Sequence, residues 1–208
     1  MPATSEAALH DAYASEYDDQ VKAYNCFIGD VLFGLCYEYT QQGKRLLDAG
    51  IGSGLAALPF AKAGLQVSGM DFSPAMLEIC RAKGFATDLK EHDIQKIPWP
   101  YPSENFDFLI CCGVMHFICN LEGVFYEAAR LLPEGGIFAF TIRNSPLLEN
   151  VQQEYVQQNI GGFEIYSHAS VYLLTLLHKF AFQSLKMQKC FVGEDVFTLW
   201  IVKKSTPI

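Results

Sequence analysis

Between residues 46 and 54 the chain reads Leu46-Leu47-Asp48-Ala49-Gly50-Ile51-Gly52-Ser53-Gly54, an apolar run that breaks into spaced glycines and then enters a helix-forming stretch. A strand that opens through glycines onto a helix lets backbone come close to a ligand. It also predicts an alternation of strands and helices, and the remaining sequence supplies one. Lys44 to Gly50 reads as a strand, Leu55 to Ala63 as a helix, Leu65 to Asp71 as a second strand, and Pro74 to Ala82 as a helix capped by Ser73. A weaker strand follows near Ala86 to His92, and the continuous apolar run Phe106 to Gly113 suits a strand buried on both faces. A helix over 121–132 is followed by the turn Pro133-Glu134-Gly135-Gly136, which delivers Ile137 to Ile142 as the next strand.

The flanks complete the pattern. Residues 20–41 place Val21, Tyr24, Ile28, Val31, Leu35 and Tyr39 three or four apart, the spacing of one helix with a buried face. Residues 169–181 are helical in pattern, and strands near 183–192 and 196–203 are joined through Gly193, Glu194 and Asp195 as a closing antiparallel hairpin. The expected fold is α/β, a single-domain Rossmann-like three-layer αβα sandwich with a mostly parallel seven-stranded sheet. At 208 residues one domain suffices, divided into a helical cover or lid over 1–42, a core over 43–143 and a substrate-side segment with the hairpin over 144–208. In such sheets a ligand sits at the carboxyl ends of the strands, near the switch in strand order.

Charge and composition narrow the partners. Fifteen Lys and Arg against 23 Asp and Glu leave −8, a field that repels polyanions, so no nucleic acid is expected. Seven cysteines form no C-x-x-C pair and no zinc-type spacing, so they read as reduced thiols with no metal, the vicinal Cys111 and Cys112 included. The acidic first twenty residues lack a basic, then apolar, leader, and the uncharged run Phe108 to Leu121 is too short to span a bilayer. A cytoplasmic protein with no membrane partner, monomeric or homodimeric, is expected.

The glycine turn is not a dinucleotide loop, because the position three after Gly52 is Leu55, and Asp48 precedes the first glycine where a pyrophosphate would be repelled. An acid there suits an ammonium group, such as the methionine end of S-adenosylmethionine. Asp71 ends the second strand 17 residues after Gly54, where an acid accepts both hydroxyls of a ribose, and Phe72 and Met76 follow, able to pack on adenine. In Glu91-His92-Asp93-Ile94 the Asp93 carboxylate can accept an adenine amino group and the Ile94 amide can meet a ring nitrogen. Each has a plain alternative, as a tight turn, a helix-start acid or a solvated loop acid; together they favour a nucleoside.

These stretches, LLDAGIGSGLAALPFAKAG, VSGMDFSPAML, EHDI and NFDFLICCGVMHFICNLEGVFYEAARLLPEGGIFAFTI, resemble the class I S-adenosylmethionine-dependent methyltransferases from Arg45 to about Arg143. The resemblance implies S-adenosyl-L-methionine as cofactor. It implies Asp48, Gly50, Gly52 and Gly54 along the methionine moiety, Asp71 on the ribose, and Asp93 and Ile94 at the adenine, with Ala49 and Gly113 as further candidate cofactor contacts. The leader DAYASEYDDQVKAYN and the strand ending FTIRN resemble more narrowly the small methyltransferase-like proteins related to the Williams-Beuren-region member. Glu134 departs from the usual Lys-Pro-Gly-Gly turn.

Methyl transfer from a sulfonium needs chiefly alignment of a nucleophile and exclusion of water. His116, just past the fourth strand, is the candidate acid/base, with a satisfied loop histidine as the alternative. Tyr17 and Tyr13, four apart, are candidates for lid contacts to cofactor and substrate, or for packing alone. Arg143 and Asn144 end the fifth strand and can meet a substrate carboxylate, or make a surface ion pair. No NPPY-type tetrad stands near residue 112, which argues against amino-methylation of adenine or glutamine. The expected function is methyl transfer to a small-molecule acceptor; the alternative is a noncatalytic nucleoside-binding regulatory module.

Overall fold

The structure is a computed structural model, and it describes residues 14–148 and 153–206. In chain order it contains α1 (Tyr17–Ala23), α2 (Ile28–Cys36), β1 (Arg45–Ala49), α3 (Leu58–Lys62), β2 (Gln66–Asp71), α4 (Pro74–Ala82), β3 (Ala86–Glu91) and β4 (Phe108–Cys111). These are followed by α5 (Glu122–Leu131), β5 (Ile137–Arg143), β6 (Tyr155–Ile160), β7 (Phe163–His168), α6 (Ser170–Lys179), β8 (Phe182–Val192) and β9 (Asp195–Lys204). The main sheet has seven strands in the order β3-β2-β1-β4-β5-β9-β8, parallel through β5, with β9 antiparallel to both β5 and β8. The order reverses between β1 and β4, which opens the crevice at their carboxyl ends.

Alternation along the central strands builds two cores. Leu47 and Ala49 of β1, Leu109 and Cys111 of β4, and Phe138 and Phe140 of β5 face α5 and α6, where Phe125, Leu131 and Leu177 cover them. Leu46, Phe108, Ile110 and Ala139 face the opposite way, onto Leu32, Phe60, Leu77 and Cys80. The uninterrupted apolar reading of the fourth strand is thus the signature of a strand covered on both faces.

Three sequence expectations change. The single helix over 20–41 is two helices, because Asn25 adopts φ 49°, a left-handed conformation that asparagine tolerates and that ends α1. The break resets the helical phase, so the buried stripe is Ile28, Leu32 and Cys36, while Tyr24 is 72% exposed. The helix expected over 55–63 is shortened to α3 at Leu58–Lys62. The segment after β5 contains a separate two-stranded hairpin, β6-β7, that the strand count did not include. Its turn is Gly161-Gly162, with φ of 61° and 91°, the two positive values that a two-residue hairpin turn demands. No helix among the described residues is long and apolar enough to cross a membrane.

Candidate cofactor and acceptor crevice

A crevice of about 780 Å³ lies at the carboxyl ends of β1, β2 and β4. Its floor is the turn after β1. Gly50 and Ile51 both donate their N–H to the Met70 carbonyl, at 2.8 and 3.0 Å, which holds the turn against the end of β2. Gly52 has φ 51°, and a methyl added there would meet no atom within 4 Å, so the backbone presents an open corner to the crevice. Gly54 differs. A methyl there would lie 2.6 Å from Phe85 and 2.8 Å from the Cys80 thiol, so this glycine serves packing behind the turn and does not line the crevice.

Asp71 lies on the wall at 7% exposure. Its Oδ2 accepts the Gly52 N–H at 2.8 Å and its Oδ1 accepts the Ser73 N–H at 2.9 Å. One carboxylate thereby fixes the glycine corner to the start of α4. The Ser73 hydroxyl in turn accepts the Met76 N–H at 3.2 Å, the cap its sequence position predicts. Phe72 and Met76 line the same wall. Asp93 and Ile94 line the crevice beyond β3, and Asp93 accepts the Gln95 N–H at 3.0 Å. His92 turns away and sits 2.7 Å from the Lys96 carbonyl.

Gly113 lines the crevice after β4, its N–H donating to the buried Thr141 hydroxyl at 2.8 Å. His116 and Tyr17 also line it. Asp48 and Ala49 are placed behind the turn, at 1% and 0% exposure, and not on the crevice surface. Tyr13 lies outside the described residues. Arg143 and Asn144 line a second cavity instead. Arg143 is paired there with Asp195 at 2.6 Å and donates to the Gln158 side-chain oxygen Oε1 at 3.1 Å, and Asn144 accepts the Thr198 hydroxyl at 2.8 Å. The ion-pair reading of Arg143 is the one the geometry matches.

Asp48 is the electrostatic oddity of the site. Both its carboxyl oxygens are buried with no hydrogen-bond partner among the described residues, and burial, helped by the Asp71 charge, pushes its pKa well above the usual carboxylate range. A proton held more tightly in the folded state gives stability that is present at low pH and is lost as pH rises from about 4 towards the raised value. Asp48→Asn removes that dependence. Its stability relative to wild type is expected to grow with pH, by at most about 1.4 kcal/mol per unit. Denaturant melts at a series of pH values check this; parallel curves for the two proteins would contradict it.

Sequence reasoning missed three supports. Lys83, on the turn after α4, donates to the Ser53 carbonyl at 2.8 Å and pairs with Asp18 of α1 at 2.5 Å, so one ammonium ties the floor to the leader helix. Ser53 lines the crevice, and its hydroxyl is buried with no hydrogen-bond partner among the described residues. Trp99 donates its indole N–H to the Ile94 carbonyl at 2.9 Å, while its own backbone N–H donates to buried Glu127 at 3.0 Å. Ile94 is thus set by the core beneath α5. No sequence pattern signals pairings this remote. Cys111 and Cys112 have thiols pushed up by burial, and among the described residues no group of His, Cys, Asp and Glu could hold a metal ion.

The arrangement fits S-adenosylmethionine on its own terms. An open glycine corner suits close approach of an amino-acid chain, a wall carboxylate suits a ribose diol, and Ile94 and Met76 are apolar lining that suits a purine. Residues 47–140 match the family model described as a methyltransferase domain. The chain is 33% identical over 103 residues to a demethylmenaquinone methyltransferase of Tropheryma whipplei, covering 45% of this chain and 39% of that one. It is 31% identical over 124 residues to a ubiquinone biosynthesis O-methyltransferase of Dechloromonas aromatica, covering 56% and 53%. The matches thus span about half or less of those curated relatives.

Among solved structures, the Burkholderia thailandensis 1,6-didemethyltoxoflavin-N1-methyltransferase, with its acceptor and S-adenosylhomocysteine bound, superposes with TM-score 0.72 at 15% identity, over 95% of this chain and 88% of that one. A Clostridium acetobutylicum S-adenosylmethionine-dependent methyltransferase gives 0.69 at 19% identity, over 95% and 100%. The stretch 47–140 thus matches the methyltransferase-domain family model, and the chain shares its fold with these solved methyltransferases.

Proposed function

We propose that the protein is an enzyme that transfers a methyl group from S-adenosyl-L-methionine to a small-molecule acceptor, acting in the cytoplasm as a monomer or homodimer. The observation that carries the reading is the coupling of Asp71 to the open corner at Gly52, which joins a diol acceptor to a surface for close approach. The relatives named for quinone and toxoflavin methylation support a small acceptor. The leader DAYASEYDDQVKAYN and the β5 ending support a place beside the Williams-Beuren-region methyltransferase-like proteins.

When bound, the sulfonium supplies an already activated methyl carbon. The chain's own share is then to hold the nucleophile in line, exclude water and receive a proton at His116. Gly50, Gly52, Asp71, Asp93, Ile94 and Gly113 are the proposed cofactor contacts, with Tyr17 over them. Asp48 acts from behind the turn as an electrostatic support, and 1–42, 43–143 and 144–208 serve as cover, core and acceptor side. S-adenosylhomocysteine at a hundred times its dissociation constant stabilises the native state by about 2.7 kcal/mol. For a chain of this size that raises Tm by roughly 5–10 °C. A flat melting curve with both product and cofactor would refute the assignment; binding without transfer of labelled methyl to any cell metabolite would leave the regulatory module.

A further inference from the structure

The crevice has two chemically different halves. Across the sheet order β3-β2-β1-β4-β5-β9-β8, the proposed cofactor contacts follow β3, β2, β1 and β4. The other half is built by the loop after β4 together with the facing ends of β8 and β9, through Val114, His116, Phe117, Ile118, Val192 and Phe197. None of these six is an acid, a lysine or an arginine. Arg143, the cation nearest in register because it pairs with Phe197 across β5 and β9, is directed to the second cavity and held by Asp195.

The rings in this half form a continuous array. His116 lies 4.1 Å from Phe117, tilted by 40°, and 5.6 Å from Phe197, edge to face at 73°. Phe117 is in turn backed by Phe163 at 5.8 Å, from the first residue of β7. The hairpin that follows β5 therefore braces the wall from outside without entering the crevice. Aromatic faces and edges at these separations favour another ring over an aliphatic of equal size. Lys22 of α1 and Lys62 of α3 line the crevice as well, from its helical side; none of the six residues above is a cation, so a carboxylate or phosphate packed among the rings would lose its water with no partner in this half.

Resting on the methyl-transfer reading above, we infer that the acceptor is a flat, uncharged aromatic compound whose ring hydroxyl or ring nitrogen is methylated while its ring packs against His116, Phe117 and Phe197. In that step a lone pair of the ring oxygen or nitrogen forms the new bond to the methyl carbon. The carbon–sulfur bonding pair stays on sulfur, which becomes a neutral thioether, and the proton displaced from the heteroatom passes to the His116 imidazole.

The test uses the full chain saturated with S-adenosylhomocysteine, with 2-naphthol as ring probe, decahydro-2-naphthol as its non-planar counterpart and 2-naphthoate as its anionic one. Calorimetry is expected to show 2-naphthol binding about tenfold or more tighter than either counterpart. Phe117→Ala and Phe197→Ala are expected to weaken 2-naphthol by about tenfold while leaving the affinity for S-adenosylhomocysteine unchanged. In the wild type, nuclear Overhauser effects should connect naphthol protons to the His116 ring, a readout independent of whether the variants fold. Equal binding of the saturated alcohol or the carboxylate, or absence of those effects, would overturn the inference with the cofactor reading intact. Failure of S-adenosylhomocysteine itself to bind would instead strike the underlying function.

Discussion

Asp71→Ala is expected to abolish the Tm rise that S-adenosylhomocysteine gives the wild-type protein. The side chain does two jobs in the free structure, accepting from Gly52 and from Ser73 while it faces the crevice. Each hydrogen bond to a charged group contributes about 1.5–3 kcal/mol. Loss of two ribose hydroxyl contacts therefore weakens binding by roughly a hundredfold or more, before the loosened glycine corner is counted. Asp71→Asn is not expected to restore it. An amide has one acceptor oxygen, so its NH2 must confront either the Gly52 or the Ser73 N–H, donor against donor. Isothermal titration of both variants decides the matter; wild-type affinity in Asp71→Ala would remove Asp71 from the site.

The second large effect separates two glycines that look alike in sequence. Gly52→Ala is expected to cost the fold only about 1–2 kcal/mol, for a left-handed residue that now carries a Cβ. It nevertheless blocks binding, because the methyl enters the open corner. Gly54→Ala should do the reverse. Its methyl would press on Phe85 and Cys80, and overpacking there costs about 1–3 kcal/mol in addition to strain at φ 89°. Binding measured on the fraction that remains folded should be nearly normal. Urea melts paired with ligand titrations distinguish the two; binding lost in both variants, or in neither, would show that the corner at Gly52 is not where the ligand lies.

The sequence carried the main sheet well because its strands obey local rules. Phe108–Cys111 is apolar throughout and covered on both faces, and Ser73-Pro74 starts α4 with a cap and a pre-set φ. Asp71 was legible for the same reason, since strand ends fix where the last side chain lies. Local rules fail where phase or distant partners decide. Asn25 resets the leader's helical phase, and Asp48 sits in the right motif yet behind the turn. Arg143 admits both a substrate contact and an ion pair on sequence alone, because Asp195, 52 residues on, is invisible as its partner until β9 returns beside β5. The hairpin after β5 did leave a signal, the pair Gly161-Gly162 between alternating residues, which was read only as part of an acceptor segment.

Lys83 gives the leader helix and the glycine turn a common fastening, through Asp18 on one side and the Ser53 carbonyl on the other. Swinging the helix aside breaks the pair with Asp18 and leaves Lys83 with the Ser53 carbonyl alone. The seat of that helix and the order of the turn are thereby linked through a single side chain, so replacing Lys83 would loosen both together.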